Sequence, residues 1–152
     1  MSPNKISHRV VSDRLDWITK MIVEIKSLPL DNYEFFIEDK RNVWSAESCL
    51  RRSIEALMDL GRHILAKRFG RGVSEYKEIA LLLGESGVLS SDESTKMKIL
   101  AGYRNRMVHY YHEITVRELF EICSLHLSDI TTVANAIKKW INEHPDIVDE
   151  TI

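Results

Sequence analysis

Apolar positions recur at spacings of three and four residues along most of the chain, which is the period of an amphipathic α-helix. The first stripe covers residues 11–25, and its helix should stop before Pro29 because proline disfavours helical geometry in the preceding residue. A longer stripe over residues 43–64 predicts a helix that ends at Phe69 and Gly70, where glycine suits a left-handed terminal position. Shorter helical segments are predicted over residues 33–39 and 76–83.

Two capping boxes mark the starts of the remaining helices. Ser90 with Glu93, and Thr115 with Glu118, fit the pattern in which a hydroxyl and a carboxylate satisfy the free amides of a first turn. The last helix carries an apolar stripe that includes His126 and ends before Pro145. No alternating strand pattern or internal repeat is present. The sequence therefore predicts an all-α, up-and-down bundle of four to five helices.

The composition fits one domain spanning residues 1–152, with an acidic tail that we expect to fray from about residue 145. No stretch approaches the roughly 20 apolar residues of a membrane span, and the N-terminus does not resemble a signal peptide. The two cysteines, Cys49 and Cys123, lie far apart on apolar helix faces, which predicts buried, reduced thiols. These features together predict a cytoplasmic protein without membrane contacts.

The net charge of −2 by itself argues against bulk electrostatic binding of nucleic acid. The charges are, however, unevenly distributed along the chain. Residues 40–72 carry eight basic side chains against three acidic ones. Such a run either forms a local positive face or belongs to an ordinary solvated helix surface.

The segment RNRMVHYY, residues 104–111, concentrates polar and ring side chains before the second capping box. Because the next helix starts at Thr115, this segment occupies a helix C-terminus, where cations oppose the negative end of the helix dipole. Arg104, Arg106 and His109 have a structural explanation on that basis. The functional alternative is metal-independent cleavage of a phosphodiester, for which imidazole moves protons near neutrality and arginine matches phosphate oxygens.

Helix geometry restricts how these side chains cooperate. Positions four apart share a helix face, so Asn105 and His109 are neighbours, whereas Arg104 and His109 are about 140° apart on an ideal helix. Either the helix loosens near its end, or a second subunit supplies the missing group across a two-fold axis.

Other chemistries have weaker support in the sequence. His109, His112 and Glu113 do not have the HExxH spacing of a zinc site, and no further ligands are evident. Phosphate-binding glycine loops and motifs for a serine or cysteine nucleophile are also absent. We therefore expect no metal and no cofactor.

The arrangement of Arg104, four intervening residues, His109, one residue and Tyr111 resembles the signature of HepT-like toxins, a branch of the HEPN superfamily of small helical ribonucleases. The segments 53–56, 76–79 and 87–90 also fall where that family has similar segments, so the resemblance covers most of the chain.

This resemblance implies a homodimer whose two motifs line one cleft and cleave RNA, either tRNA or mRNA, by attack of a 2′-hydroxyl on the adjacent phosphate. Arg104 and His109 would be catalytic, with Asn105 as a polar helper. Arg106 and Tyr110 are candidate RNA contacts. The family pairs with a minimal nucleotidyltransferase antitoxin in type VII-like toxin–antitoxin systems, and AMP transfer to Tyr111 would neutralise the toxin.

Two alternatives to a ribonuclease toxin stay open at the level of the sequence. The chain could be a non-catalytic helical module that binds and supports a partner nucleotidyltransferase. It could also be a purely structural dimeric bundle, in which the motif tolerates alanine without loss of a partner or an activity.

Overall fold

The computed structural model of the chain describes residues 4–109 and 114–152, and most of them are helical. In chain order the α-helices are α1 (His8–Lys26), α2 (Tyr33–Glu38), α3 (Lys40–Phe69), α4 (Tyr76–Glu85), α5 (Ser91–His109), α6 (Val116–Glu121) and α7 (Leu127–Asn142). A π-helical turn joins α6 to α7, and a 3-10 turn follows α7. The predicted all-α fold class is confirmed. Two of the helices, α2 and α6, are single short segments of six residues.

Helix α3 lies at the centre of the bundle. Helix α1 packs along it, α4 and α5 pack against it and against each other, and α7 packs on α5. Leu50, Ile54 and Leu57 of α3 are fully buried in one core that extends along the chain from Ile6 to Ile147. Each such side chain contributes about 1.5–3 kcal/mol through its removal from water, which makes α3 the main support of the other helices.

The local signals at helix ends predicted the boundaries well. Glu93 Oε1 accepts from the Ser90 amide at 2.8 Å, and Ser90 Oγ accepts from the Glu93 amide at 3.1 Å, so the first capping box is formed in both directions. Gly70 ends α3 with φ of 65°, in the left-handed region that glycine adopts without strain. Helix α1 ends at Lys26, ahead of Pro29 as the sequence predicted.

The last helix differs from its predicted form because it contains the π-helical turn Ile122–His126. A π-turn adds one residue to a helical turn, so the buried position at the end of this turn moves by one residue. His126, which the stripe had placed on the apolar face, is exposed, and Leu127 is buried instead. The prediction of one regular helix was therefore wrong at the π-turn and at His126, whereas Ile130, Val133, Ile137 and Ile141 of the predicted stripe are buried as expected.

The acidic tail, which we expected to fray, has a defined conformation in the structure. Residues Val148–Asp149 form a short strand, β2, that pairs in parallel with β1 (Ile6–Ser7). Ile147 is only 2% exposed, and the amide of Ser7 donates to His63 Nε2 at 2.9 Å. The N-terminal strand is therefore attached to α3, and the C-terminal tail is attached to that strand. The pairing escaped prediction because strands of two residues leave no periodic signal.

The cysteines and the membrane prediction have simple outcomes. Both cysteines are free thiols; Cys123 is buried and Cys49 is half-buried. Burial raises the pKa of the Cys123 thiol to about 12. Over residues 4–109 and 114–152, no helix has the length and apolar character needed to cross a membrane.

The tail generates the first testable prediction. Replacing the buried side chain by Ile147→Ala should lower the free energy of unfolding by about 2–4 kcal/mol, because it leaves a cavity under β2. Urea denaturation measures this value. The matched control is Ile152→Ala, at a side chain that is 39% exposed, where the change should stay below about 0.5 kcal/mol. Equal, small effects of both variants would show that the tail frays.

Candidate active site

The C-terminal half of α5 borders an open cavity of about 640 Å³. From α5 the cavity is lined by Gly102, Arg104, Asn105, Arg106 and His109. The facing wall consists of Arg62 on α3 and residues 74–77, which lead into and begin α4. Four of the six site residues predicted from the sequence therefore line one cavity, while Tyr110 and Tyr111 lie outside the described residues, as do His112 and Glu113.

The rotation of α5 is fixed by its buried residues. Ser94, Met97, Leu100, Ala101 and Met107 face the core. The neighbouring helices approach closely because Gly84 of α4 has no side chain, and an added Cβ there would lie 2.9 Å from Ser94 Oγ. Arg104 consequently emerges beside the core at the junction with α3 and α4.

Arg104 is held by a carboxylate from the central helix. Its Nε donates to Glu55 Oε2 at 3.0 Å, and its Nη2 lies 3.0 Å from the same oxygen. The side chains of Arg104 and Glu55 are 20% and 26% exposed, so the pair is shielded from bulk water on most sides. Arg51 Nη1 donates to Glu55 Oε1 at 3.3 Å, which extends the ion pair into a network along α3.

The aromatic ring of Tyr76 contacts the same guanidinium. The Arg104 guanidinium carbon lies 4.6 Å from the centre of the Tyr76 ring, a cation–π contact. Burial raises the pKa of the Tyr76 hydroxyl, so the ring stays neutral at physiological pH. Contacts from two different helices therefore fix the position of Arg104 at the edge of the cavity.

Arg62 secures the facing wall. Its Nε donates to the Val73 carbonyl at 3.2 Å and its Nη2 to the Ser74 carbonyl at 3.3 Å. Its Nη1 donates to Asp59 Oδ1 at 3.3 Å, and its guanidinium carbon lies 5.6 Å from the Tyr76 ring centre. The segment between α3 and α4 is thereby attached to α3.

Arg106 forms a bidentate ion pair with Glu118 of α6. The distances are 2.8 Å from Nη1 to Oε2 and 2.7 Å from Nη2 to Oε1. Hydrogen bonding to Arg106 lowers the pKa of the Glu118 carboxyl. Thr115 Oγ1 still accepts from the Glu118 amide at 3.0 Å, so Thr115 caps α6 while the carboxylate of the predicted capping box serves Arg106. The arginine therefore joins the end of α5 to the start of α6.

His109 and Asn105 are less constrained. His109 is exposed at the end of α5, and Asn105 lies one turn earlier on the same face. Neither side chain forms a hydrogen bond to a residue in the described ranges. Helix α5 stays α-helical up to His109, so the loosening considered from the sequence is not found before that residue.

Sequence reasoning missed three residues that shape this site. The spacing of Glu47, Arg51 and Glu55 on α3 is a readable pattern of alternating charges. That pattern predicts ion pairs within one helix and says nothing of Arg104, which is 49 positions away from Glu55. Tyr76 and Arg62 likewise reach the site only through the packing of α3, α4 and α5.

Comparison with known proteins identifies the family. A family model described as Ribonuclease HepT-like matches residues 18–137. The chain belongs to the HepT-like ribonuclease family. The match includes every helix from the middle of α1 to most of α7, and therefore the whole cavity.

The chain is also similar to individual proteins and solved structures. The tRNA nuclease HepT of Aphanizomenon flos-aquae (strain 2012/KM1/D3) is 22% identical over 133 residues, 87% of this chain and 90% of that protein. A structure of the tri-AMPylated Shewanella oneidensis HEPN toxin in complex with MNT antitoxin has a TM-score of 0.76 at 22% identity, covering 86% of this chain and 97% of that one. YutE from Bacillus subtilis, a cytosolic protein of unknown function, also has a TM-score of 0.76, at 16% identity over 91% of this chain and 92% of its own.

The ion pair at the centre of the site gives the second prediction. Glu55→Gln keeps the shape of the side chain but removes its charge, and it should lower the free energy of unfolding by about 1–2 kcal/mol. Glu47→Gln, which removes only the more exposed partner of Arg51, should cost less than about 1 kcal/mol. Urea denaturation of both variants provides the comparison.

A double-mutant cycle isolates the pair itself. Combining Glu55→Gln with Arg104→Gln should give a coupling energy of about 1 kcal/mol, since the two groups share one hydrogen-bonded contact. Strictly additive effects would mean that the pair does not hold Arg104 in solution.

Proposed function

We propose that this chain is a metal-independent endoribonuclease and the toxin of a type VII-like toxin–antitoxin system, acting in the cytoplasm. The observation that carries the proposal is the single cavity lined by Arg104, Asn105 and His109 in a HepT-like chain. These three groups supply a cation for phosphate, an amide for orientation and an imidazole for proton transfer. The name of the related tRNA nuclease favours tRNA over mRNA as the substrate.

The proposed reaction is a transesterification within the RNA strand. The 2′-oxygen forms a bond to the adjacent phosphorus while the bond from phosphorus to the 5′-oxygen breaks. His109 takes the proton of the 2′-hydroxyl or gives one to the leaving oxygen, and Arg104 stabilises the negative charge on the phosphate. The products are a 2′,3′-cyclic phosphate and a 5′-hydroxyl.

We further propose that a homodimer completes the site. Arg104 and His109 line one cavity but are about 140° apart on the regular helix α5, so a partner subunit is the simpler source of one of the two groups at a given phosphate. Its interface must adjoin the end of α5. An apolar groove of about 390 Å³ lies there, lined in part by Trp44, Met107 and Val116, and the Trp44 side chain is 65% exposed.

The third prediction concerns the catalytic pair. His109→Ala should lower the rate of RNA cleavage by the purified protein by about 10²–10⁴-fold, because it removes the proton-transfer group. Arg104→Ala should cause a comparable loss, and growth arrest on expression should disappear with either variant. Equal cleavage by wild type and His109→Ala would reject the catalytic assignment, and a stable nucleotidyltransferase complex without cleavage by either would favour the supporting-module alternative.

Mixing the two inactive variants tests the shared site. If each site takes Arg104 from one subunit and His109 from the other, co-refolded Arg104→Ala and His109→Ala chains form heterodimers with one complete site and regain cleavage. If both groups come from one chain, no heterodimer has a complete site and the mixture stays inactive.

Regulation by a partner is the remaining part of the proposal. We infer that a nucleotidyltransferase antitoxin transfers AMP from ATP to Tyr111, whose phenolic oxygen attacks the α-phosphate and releases pyrophosphate. The support is the Tyr111 match to the family motif and the related toxin described as tri-AMPylated in complex with its antitoxin. The added phosphates would repel RNA, whose backbone carries the same charge.

The fourth prediction follows from this regulation. Incubation with ATP and the partner should increase the mass of the chain by one or more AMP units and abolish cleavage. Tyr111→Phe should stay unmodified and active, with Tyr110→Phe as the matched control that is still modified. Modification that persists in Tyr111→Phe would move the acceptor elsewhere.

A further inference from the structure

We propose that Lys77 and Gly102 form a second contact site for the RNA strand, in which the backbone of a neighbouring nucleotide lies on Gly102 and its phosphate meets the Lys77 ammonium. This inference rests on the proposed cleavage of RNA in the same cavity. It extends the site beyond the family motif, to the start of α4 and the middle of α5.

Lys77 is the first element of the proposed contact site, because no ion pair among the described residues neutralises its charge. Its side chain is exposed on the facing wall and reaches α5, where its Cε lies 3.9 Å from the position that a Cβ on Gly102 would occupy. It forms no ion pair with a residue in the described ranges, although the acidic Glu75 lies on the same wall.

The arginines of the cavity differ from Lys77 in this respect. Arg62 is paired with Asp59, Arg104 with Glu55, and Arg106 with Glu118. Their acidic partners balance much of their charge, so the ammonium of Lys77 gains most from a phosphate arriving from solvent.

Gly102 is the second, independent element. Glycine in the interior of a helix lowers its stability relative to alanine, and this cost is offset where something must approach the backbone closely. The other two glycines within helices meet that condition inside the protein: an added Cβ would lie 2.9 Å from Ile79 and Leu83 at Gly61, and 2.9 Å from Ser94 at Gly84.

At Gly102 the protein itself imposes no such requirement. In the described structure an added Cβ would meet only the end of Lys77, at ordinary contact distance. The space that glycine leaves opens into the cavity. A ligand that lies directly on the helix backbone accounts for the missing side chain.

The position of this surface fits a nucleotide next to the one that is cut. Gly102, Asn105 and His109 follow one another along one face of α5. Seven residues separate Gly102 from His109, which is about 10 Å along the helix axis. The two ends of this face therefore contact different nucleotides of one strand.

RNA binding by the full-length His109→Ala variant tests the proposal, because binding is then measured without cleavage. In this background Lys77→Gln should weaken the binding of labelled bulk tRNA by roughly three- to tenfold, the scale of one lost polar contact. It should also reduce the slope of log affinity against log salt by about 1. Lys20→Gln, at an exposed lysine of α1 away from the cavity, should change neither value.

Gly102→Ala should stabilise the free protein and weaken its binding of tRNA. It should raise Tm by about 2–4 °C, because alanine favours the helix and fits the free protein. It should nevertheless weaken tRNA binding, because the methyl group occupies the space assigned to the strand. A purely structural glycine would give a lower Tm or an unchanged affinity.

The outcomes separate this inference from the proposed function. If Lys77→Gln and Gly102→Ala bind tRNA like their parent, the contact site is rejected even when wild type cleaves RNA. If the parent binds no tRNA, the contact site is likewise rejected. If binding depends on Lys77 and Gly102 but wild type and His109→Ala show equal cleavage, the contact site stands and the catalytic assignment fails.

Discussion

The half-buried ion pair between Arg104 and Glu55 is the interaction through which the bundle and the cavity depend on each other. Arg104 lies on the side of α5 that also carries Leu100 and Met107, so its charge emerges beside the core. An unpaired cation there would cost several kcal/mol in lost hydration, and Glu55 compensates that cost. Such a pair adds little net stability, but it holds the guanidinium in one place.

The same pair limits how strongly the cavity attracts an anion. Glu55 neutralises much of the charge of Arg104, and it also accepts from Arg51, so one carboxylate is shared between two arginines. A phosphate entering the cavity competes with that carboxylate for the guanidinium. The arrangement resembles a preorganised contact. The entropy cost of orienting the Arg104 side chain is met during folding, so a phosphate would bind a guanidinium that is already in position.

How much of the fold could be predicted from the sequence depends on how far apart the interacting residues are along the chain. Local signals, such as the capping box at Ser90 and the terminal Gly70, predicted helix boundaries correctly because the hydrogen-bonded partners are three and five residues apart. The π-turn escaped prediction because His126 and Leu127 both fit an apolar stripe with spacings of three and four residues. Only the structure shows that Leu127 is the buried one. Pairing of the two terminal strands connects opposite ends of the chain and leaves no local pattern.

At the site, too, local patterns could be predicted from the sequence of this chain of net charge −2, whereas contacts between distant residues could not. The motif side chains Arg104, Asn105 and His109 were predicted from residue type and spacing, whereas the residues that hold Arg104 come from other helices. Glu118 is instructive, because the local pattern assigned its carboxylate to a helix cap and Arg106 binds it instead.

Since three arginines of the cavity have acidic partners, the electrostatic field that reaches solvent is weaker than the count of basic residues suggests. Attraction of an RNA strand would then depend on short-range contacts inside the cavity rather than on long-range steering, and a few added phosphates nearby would suffice to oppose it.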